Sequence, residues 1–280
     1  MDLRPVLFLD SGIGGLPYCG RFARRNPGER VIYVADRANF PYGGKDRDAL
    51  GRILSALARD LDNLFRPKLA VLACNTASVT ALALLRERFP GIRWVGTVPA
   101  VKPAASASLK RHIGILGTAR TIADPYTEGL LRRCAPGCKL TGIAAPDLVD
   151  FVERGGDRAG IDEQRGRAAP YIAGFRRAGA DAVVLGCTHF VFLRDAFESL
   201  SGEGSPEEAV RIFDSVEGVA GRAESLLEKH GIRAAPGGGA ALPGERPRNL
   251  LVLTGDGEPG ELWRQRAADA GLSLGRLGEF

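Results

Sequence analysis

Short apolar runs alternate with segments of helical spacing from the start of the chain. Residues 6–9 form an apolar run, the turn Asp10-Ser11-Gly12-Ile13-Gly14-Gly15 follows, and a helix is predicted from about Leu16. Residues 31–35 predict the next strand, ending at Asp36, and a loop follows it, Asn39-Phe40-Pro41-Tyr42-Gly43-Gly44. Residues 49–64 have helical spacing, 69–73 read as a buried strand, 77–88 as a helix and 94–98 as a short strand. The pattern then restarts. Residues 113–116 predict a strand, 117–121 a turn, 140–144 a strand, 147–154 and about 166–178 helices, and 182–185 a strand running toward Cys187. Residues 250–253 and 260–270 predict one more strand and helix, after a Gly- and Pro-rich stretch, 234–247, that reads as an irregular loop.

Such alternation predicts an α/β fold, a parallel sheet with helices on both faces. The restart predicts two similar doubly wound parallel-sheet domains with the active site in the cleft between them. The expected N-terminal domain is residues 1–98 plus a returning segment of about 215–280, and the second domain is 99–214. The distance from Cys74 to Cys187 nearly equals that between the ends of the two first strands, Leu9 and Leu116. This similarity suggests related halves, although residue identity between them is too low to prove duplication.

A chain of 280 residues suffices for one large or two ordinary α/β domains. Hydrophobic content of 45% and charged content of 25% are those of a soluble globular protein. The N-terminal apolar stretch is too short for a signal peptide, and no run approaches a membrane span, so a cytoplasmic location is expected. The formal charge of +5 comes from 38 basic and 33 acidic residues that are interspersed. Without a sustained basic run or an aromatic-rich patch, nucleic acid is not an expected partner. An anionic small molecule fits the sign of the charge.

The candidate chemistry lies at strand ends. The run 69–73 delivers Cys74, then Asn75, Thr76, Ala77 and Ser78; the run 182–185 delivers Gly186, then Cys187, Thr188 and His189. In open α/β sheets ligands bind at the carboxyl ends of strands. A helix start beside each cysteine favours its thiolate. The remaining cysteines read differently. Cys19 lies in a predicted helix and is expected to be structural; Cys134 and Cys138 stand in a loop-like stretch. Zinc there would need two more ligands, and no second pair has suitable spacing, so no metal is expected. The glycine turn after the first strand resembles a dinucleotide fingerprint, with Asp36 where a ribose-binding acid would stand. Its third glycine position falls on Pro17, which favours a cradle for a substrate carboxylate instead.

Five segments resemble one family, in its order and spacing. They are Asp10-Ser11-Gly12-Ile13-Gly14-Gly15-Leu16, Phe40-Pro41-Tyr42-Gly43, Ala73-Cys74-Asn75-Thr76-Ala77-Ser78, Gly117-Thr118-x-x-Thr121 and Gly186-Cys187-Thr188-His189. The set resembles bacterial glutamate racemase, of the aspartate/glutamate racemase family, from residue 6 to about 215. Thr254-Gly255-Asp256 is similar to the family's C-terminal segment.

The resemblance implies a cofactor-independent interconversion of L- and D-glutamate that supplies D-glutamate to peptidoglycan and so to cell-wall biogenesis and cell shape. It implies that Cys74 takes the α-proton from D-glutamate and Cys187 from L-glutamate. Asp10 and Asp36 would assist Cys74; His189 and Glu153 would assist Cys187. Asp10, Ser11, Pro41, Tyr42, Gly43, Asn75, Thr76, Thr118, Thr121, Thr188 and His189 would hold the substrate. The family's members are often dimers, so a homodimer is expected. Some are linked to inhibition of DNA gyrase, but nothing in the sequence singles out a gyrase-binding surface.

The chemistry is sensible on its own terms. An amino acid's α-proton is very weakly acidic, and no pyridoxal lysine motif is evident. One base must remove the proton from one face while an acid supplies the other face, and a thiolate and thiol that exchange roles can do both. Hydroxyl, amide and backbone donors at the strand ends can stabilise the developing charge. The alternatives are a racemase of another acidic amino acid such as aspartate, and a nicotinamide-dependent dehydrogenase, which Pro17 and the paired cysteines oppose. Three positions depart from the family pattern. Val191 stands in place of a usual proline, Arg120 in place of a common glycine, and Val216 in place of a glycine after Asp214-Ser215. They flank the site without removing a catalytic side chain.

Overall fold

The computed structural model describes residues 2–203, 209–235 and 248–280. The chain divides into two compact units, Met1–Thr97 with Val216–Phe280, and Val98–Ser215. The first unit opens with β1 (Val6–Asp10), α1 (Leu16–Arg25), β2 (Val31–Ala35), α2 (Arg47–Phe65), β3 (Leu69–Leu72), α3 (Asn75–Arg88) and β4 (Arg93–Gly96). The second contains α4 (Val101–Ala107), β5 (His112–Gly117), α5 (Ala119–Ala123), α6 (Pro125–Cys134), β6 (Lys139–Ala144), α7 (Pro146–Glu153), α8 (Ile161–Ala178), β7 (Ala182–Leu185), α9 (Arg194–Ser201) and β8 (Arg211–Phe213). The chain then returns to the first unit with α10 (Val216–Lys229), β9 (Leu250–Leu253), α11 (Glu261–Asp269) and β10 (Ser273–Arg276).

Both sheets are parallel and doubly wound. The first has the order β10-β9-β2-β1-β3-β4, with Val6 opposite Val31 and Leu69, and Leu9 opposite Val34 and Leu72. The second has the order β6-β5-β7-β8, with Leu116 opposite Ile143 and Leu185. In each, the first strand is interior and the winding reverses beside it, between β1 and β3 and between β5 and β7. Ligand crevices form at such reversals of winding. The four strands β1, β2, β3 and β9 are buried at every residue, which is why they read as continuous apolar runs and not as alternating ones.

The helices cover these sheets with apolar stripes. Along α2, Leu50, Leu54, Leu57, Leu61 and Phe65 recur at helical spacing and are buried. Asp46 caps its start by accepting from the amides of Asp48 and Ala49, and Arg66, in the left-handed conformation, ends it. Helix α2 packs on α3, and α1 packs on the returning α10. At the amino end of the first sheet sits a buried ion pair. Lys68 Nζ lies 2.6 Å from Glu29 Oε2 and donates to the carbonyls of Asp2 (2.7 Å) and Ile232 (2.8 Å). Glu29 Oε1 in turn accepts from the Ala234 amide at 2.7 Å.

Several elements differ from the sequence reading. Helix α3 starts at Asn75, two residues before its apolar spacing begins, because polar Asn75 and Thr76 occupy the first turn. Helix α8 starts at Ile161 and not 166; its first turn is charged, and Asp162 and Glu163 there complement the helix dipole. Strand β4 ends at Gly96, short of Val98, where the Thr97 amide turns to the Leu72 carbonyl and to Ser78 Oγ. Ala119–Thr121 are helical and not turn, and Cys134 is the last residue of α6 and not part of a loop. The expected loop at 39–44 holds two short 3-10 turns, Arg37–Asn39 and Tyr42–Gly44, around a cis Phe40–Pro41 peptide. Of the expected loop at 234–247, residues 236–247 lie outside the described residues. Among the described residues no helix is long and apolar enough to cross a membrane.

Candidate active site

Four neighbouring strands of the first unit end on four polar residues. In sheet order these are Thr254 after β9, Asp36 after β2, Asp10 closing β1 and Cys74 after β3. All are buried. Asp10 and Cys74 flank the winding reversal. The Asp10 carboxylate accepts from the Ser11 amide at 2.5 Å and from Ser11 Oγ at 3.3 Å. Tyr33 pins the glycine turn beyond them: its hydroxyl donates to the Gly12 carbonyl (2.6 Å) and accepts from the Gly15 amide (3.1 Å). A Cβ at Gly15 would stand 2.6 Å from that of Ala73, so only glycine lets this turn lie against the end of β3.

Cys74 is the extended residue at the start of α3, at the helix end whose partial positive charge favours an anion. Asn75 beside it is buried, and among the described residues neither its amide nitrogen nor its oxygen has a hydrogen-bond partner. Thr76 and Ser78 are buried on the same turn. Asp36 collects donors from three side chains: Tyr42 Oη at 2.7 Å, Asn39 Nδ2 at 3.1 and 3.0 Å, and Thr254 Oγ at 2.6 Å. Burial, and then the charges of Asp36, Cys74 and Asp10, push the Tyr42 phenol well above its ordinary range. It stays a neutral donor. Those three acidic groups are therefore its electrostatic neighbours. Pro41 is exposed and Gly43 half-buried.

The second unit repeats the plan. Thr118 follows β5 and caps α5: its Oγ accepts from the Thr121 amide (3.2 Å) and donates to Thr121 Oγ (3.0 Å). Thr127 Oγ donates to the Thr121 carbonyl at 2.6 Å. Cys187 follows β7 after Gly186, whose amide continues the pairing to the Leu116 carbonyl at 2.7 Å. A Cβ at Gly186 would stand 3.1 Å from that carbonyl oxygen. A 3-10 turn, Thr188–Leu193, then carries the buried Thr188 and His189.

His189 connects two groups. Its Nδ1 stands 3.8 Å from Cys187 Sγ and its Nε2 2.8 Å from Glu153 Oε1, at the end of α7. Burial disfavours the imidazolium, but hydrogen bonds to Cys187 and Glu153 and their charges outweigh it. The ring is held well above the ordinary imidazole range. Cys19 offers a contrast: buried in α1, its thiol is pushed up to about 12 by burial alone.

The expected residues thus fall into two clusters, one at the carboxyl ends of each sheet. Cys74 and Cys187 hold the same topological place, after the third strand of each unit. Sequence reasoning missed Asn39 and Thr254 as partners of Asp36, and Tyr33 as the clamp on the glycine turn. Thr254 did carry a signal: it follows an apolar run as Cys74 does. A separate open cavity of about 660 Å³ lies on the second unit, lined among others by Asp147, Asp150, Arg154, Arg158, Glu163 and Arg167. It contains none of the expected site residues.

Two parallel doubly wound sheets with buried polar residues at their strand ends belong to the α/β class that binds ligands there. The Asp/Glu/Hydantoin racemase family model matches residues 22–223. A glutamate racemase of Treponema pallidum is 41% identical over 215 residues, 77% of this chain and 78% of that protein. One from Roseiflexus is 38% identical over 230 residues, 82% and 81% of the two chains. Among solved structures, Escherichia coli glutamate racemase in complex with L-glutamate and the activator UDP-MurNAc-Ala is 29% identical; the match has a TM-score of 0.79 and covers 98% of each chain. The chain belongs to the aspartate/glutamate racemase family, on its glutamate racemase branch, and is an isomerase.

Proposed function

We propose that the protein interconverts L- and D-glutamate without a cofactor, with Cys74 and Cys187 exchanging the roles of base and acid. The observation that carries this reading is the matched placement of the two thiols after the third strand of each doubly wound unit. From D-glutamate the Cys74 thiolate takes the α-proton and the Cys187 thiol protonates the other face. From L-glutamate the roles reverse. Each turnover leaves the two sulfurs with exchanged protonation, which solvent exchange resets.

His189 and Glu153 serve Cys187: an imidazolium held by Glu153 supports a neighbouring thiolate. Asp10 and Asp36 serve Cys74, Asp36 through Tyr42. Ser11, Pro41, Tyr42, Gly43, Asn75, Thr76, Thr118, Thr121 and Thr188 hold the substrate. The orphaned amide of Asn75 supports this, since a buried donor and acceptor without partners suit a ligand that supplies both. The names of the relatives favour glutamate over aspartate. The product would feed peptidoglycan synthesis in the cytoplasm, and a homodimer is the assembly we expect.

The test is α-hydrogen exchange in deuterium oxide with L- or D-glutamate and no added cofactor, followed by proton NMR. Loss of the α-proton signal from both enantiomers is expected, with none in the Cys74→Ala/Cys187→Ala protein. Full exchange in that double variant overturns the mechanism. Faster exchange with aspartate than with glutamate overturns the substrate.

A further inference from the structure

Asp36 accepts from three side chains, and one of these donors comes from the far C-terminal part of the chain. Thr254 is separated from it by 218 residues, yet Leu253 pairs with Ala35, and the Thr254 amide donates to the Ala35 carbonyl at 3.1 Å. The hydroxyl is oriented from behind. Thr254 Oγ accepts from the Ala38 amide at 3.0 Å, so its own proton points along the 2.6 Å contact to Asp36 Oδ1. Tyr42 Oη donates to the other oxygen, and Asn39 Nδ2 bridges both. With these donors the carboxylate is occupied as an acceptor and acts as an anchor for Tyr42 and not as a base.

We propose that Thr254 is a positioning residue for the Cys74 half of the reaction, fixing the Asp36 carboxylate that in turn fixes Tyr42 beside Cys74. The proposal rests on the racemase reading above and names a residue of its site. The backbone of β9 and the pairing to Ala35 do not need the hydroxyl, so Thr254→Val keeps shape and strand while removing one donor from Asp36 and the acceptor of the Ala38 amide.

The experiment compares wild type, Thr254→Val and Thr254→Ser as full chains. It measures kcat and KM in both directions, primary isotope effects with α-deuterated D- and L-glutamate, and thermal unfolding. Because the two enantiomers are equally stable, kcat/KM must fall by the same factor in both directions. A loss of about tenfold or more is expected for Thr254→Val, the scale of a hydrogen bond to a charged group. Thr254→Ser, which keeps the hydroxyl, should recover most of it. The isotope effect should rise with D-glutamate, whose proton Cys74 removes, and fall with L-glutamate. Wild-type kcat/KM in Thr254→Val overturns the proposal. So do equal losses in the Val and Ser variants, or isotope effects unchanged in both directions. A wild-type protein inert on both enantiomers overturns the racemase reading itself, and this proposal with it.

Discussion

His189 Nε2 lies 2.8 Å from Glu153 Oε1, and this contact, together with the hydrogen bond to Cys187, raises the imidazole above its ordinary range. With its ionisation held high, His189 stays protonated through neutral pH. Replacing Glu153 by Gln removes one of the groups that raise it. The alkaline limb of kcat/KM should then begin at lower pH, and the rate near neutrality should fall about 10- to 100-fold, the scale of a charged hydrogen bond. A pH–rate profile checks this; an alkaline limb that does not move excludes the role given to Glu153.

The same ionisation bears on stability. A group whose folded value is raised stabilises fully below its unfolded value, about 6.5 for His, and loses that contribution as pH rises through the folded value. The melting temperature of wild type should exceed that of His189→Asn near neutral pH, and the gap should close on the alkaline side. Paired thermal melts across that range measure it, and a gap independent of pH contradicts the assignment.

Single cysteine variants separate the two faces of the reaction. On the proposed mechanism, Cys187 in Cys74→Ala still takes the α-proton of L-glutamate and returns a solvent deuteron to the same face. Racemisation should fall by about a thousandfold or more, while exchange into L-glutamate persists better than into D-glutamate. Cys187→Ala should show the reverse preference. NMR exchange on each enantiomer reads both; equal exchange into both enantiomers would mean that the thiols do not divide the work by face.

If Asn75 holds substrate as proposed, it couples stability to binding. Two buried polar atoms without partners cost about 1–3 kcal/mol each when left dry. Asn75→Leu, of similar size, should leave the substrate-free melting temperature unchanged or higher, while KM for glutamate rises about tenfold or more. Thermal melts and steady-state kinetics suffice. A lower melting temperature with an unchanged KM would show that Asn75 is a packing residue.

Much of this was legible along the chain because both sheets are covered on two faces. Their interior strands are unbroken apolar runs, and each run's end identifies a residue at the carboxyl edge: Asp10, Asp36, Cys74, Cys187. Elements with less burial were harder to see. β6 is largely solvent-touched, and β8 has only three residues, one of them the exposed Arg211. Helix starts escaped wherever their first turn is polar, as at Asn75 and Asp162. The contacts that fix side chains depend on strand order, which periodicity does not encode. Thr254 meets Asp36 only because β9 pairs with β2, and His189 meets Glu153 only because α7 packs on the turn after Cys187.

That dependence on distant segments is strongest at the other end of the first sheet. Lys68, fully buried, is held by Glu29 and by the carbonyls of Asp2 and Ile232, while Glu29 also holds the Ala234 amide. One ion pair thus ties the first strand's entry and the segment after α10 to the sheet. Desolvating two charges is expensive, so the pair need not stabilise the fold more than an apolar pair of the same volume. Removing one partner is different, because the other charge stays buried. Lys68→Met should therefore destabilise the protein by about 3–5 kcal/mol, whereas Lys68→Met/Glu29→Leu should recover most of that loss. Urea unfolding of wild type, Lys68→Met, Glu29→Leu and the double variant measures the coupling. A double variant no more stable than Lys68→Met would show that the carbonyl and amide contacts, and not the charge pair, carry the clasp. The racemisation rate of the folded double variant should stay near wild type, since the pair lies at the amino end of the strands and the proposed site at the carboxyl end.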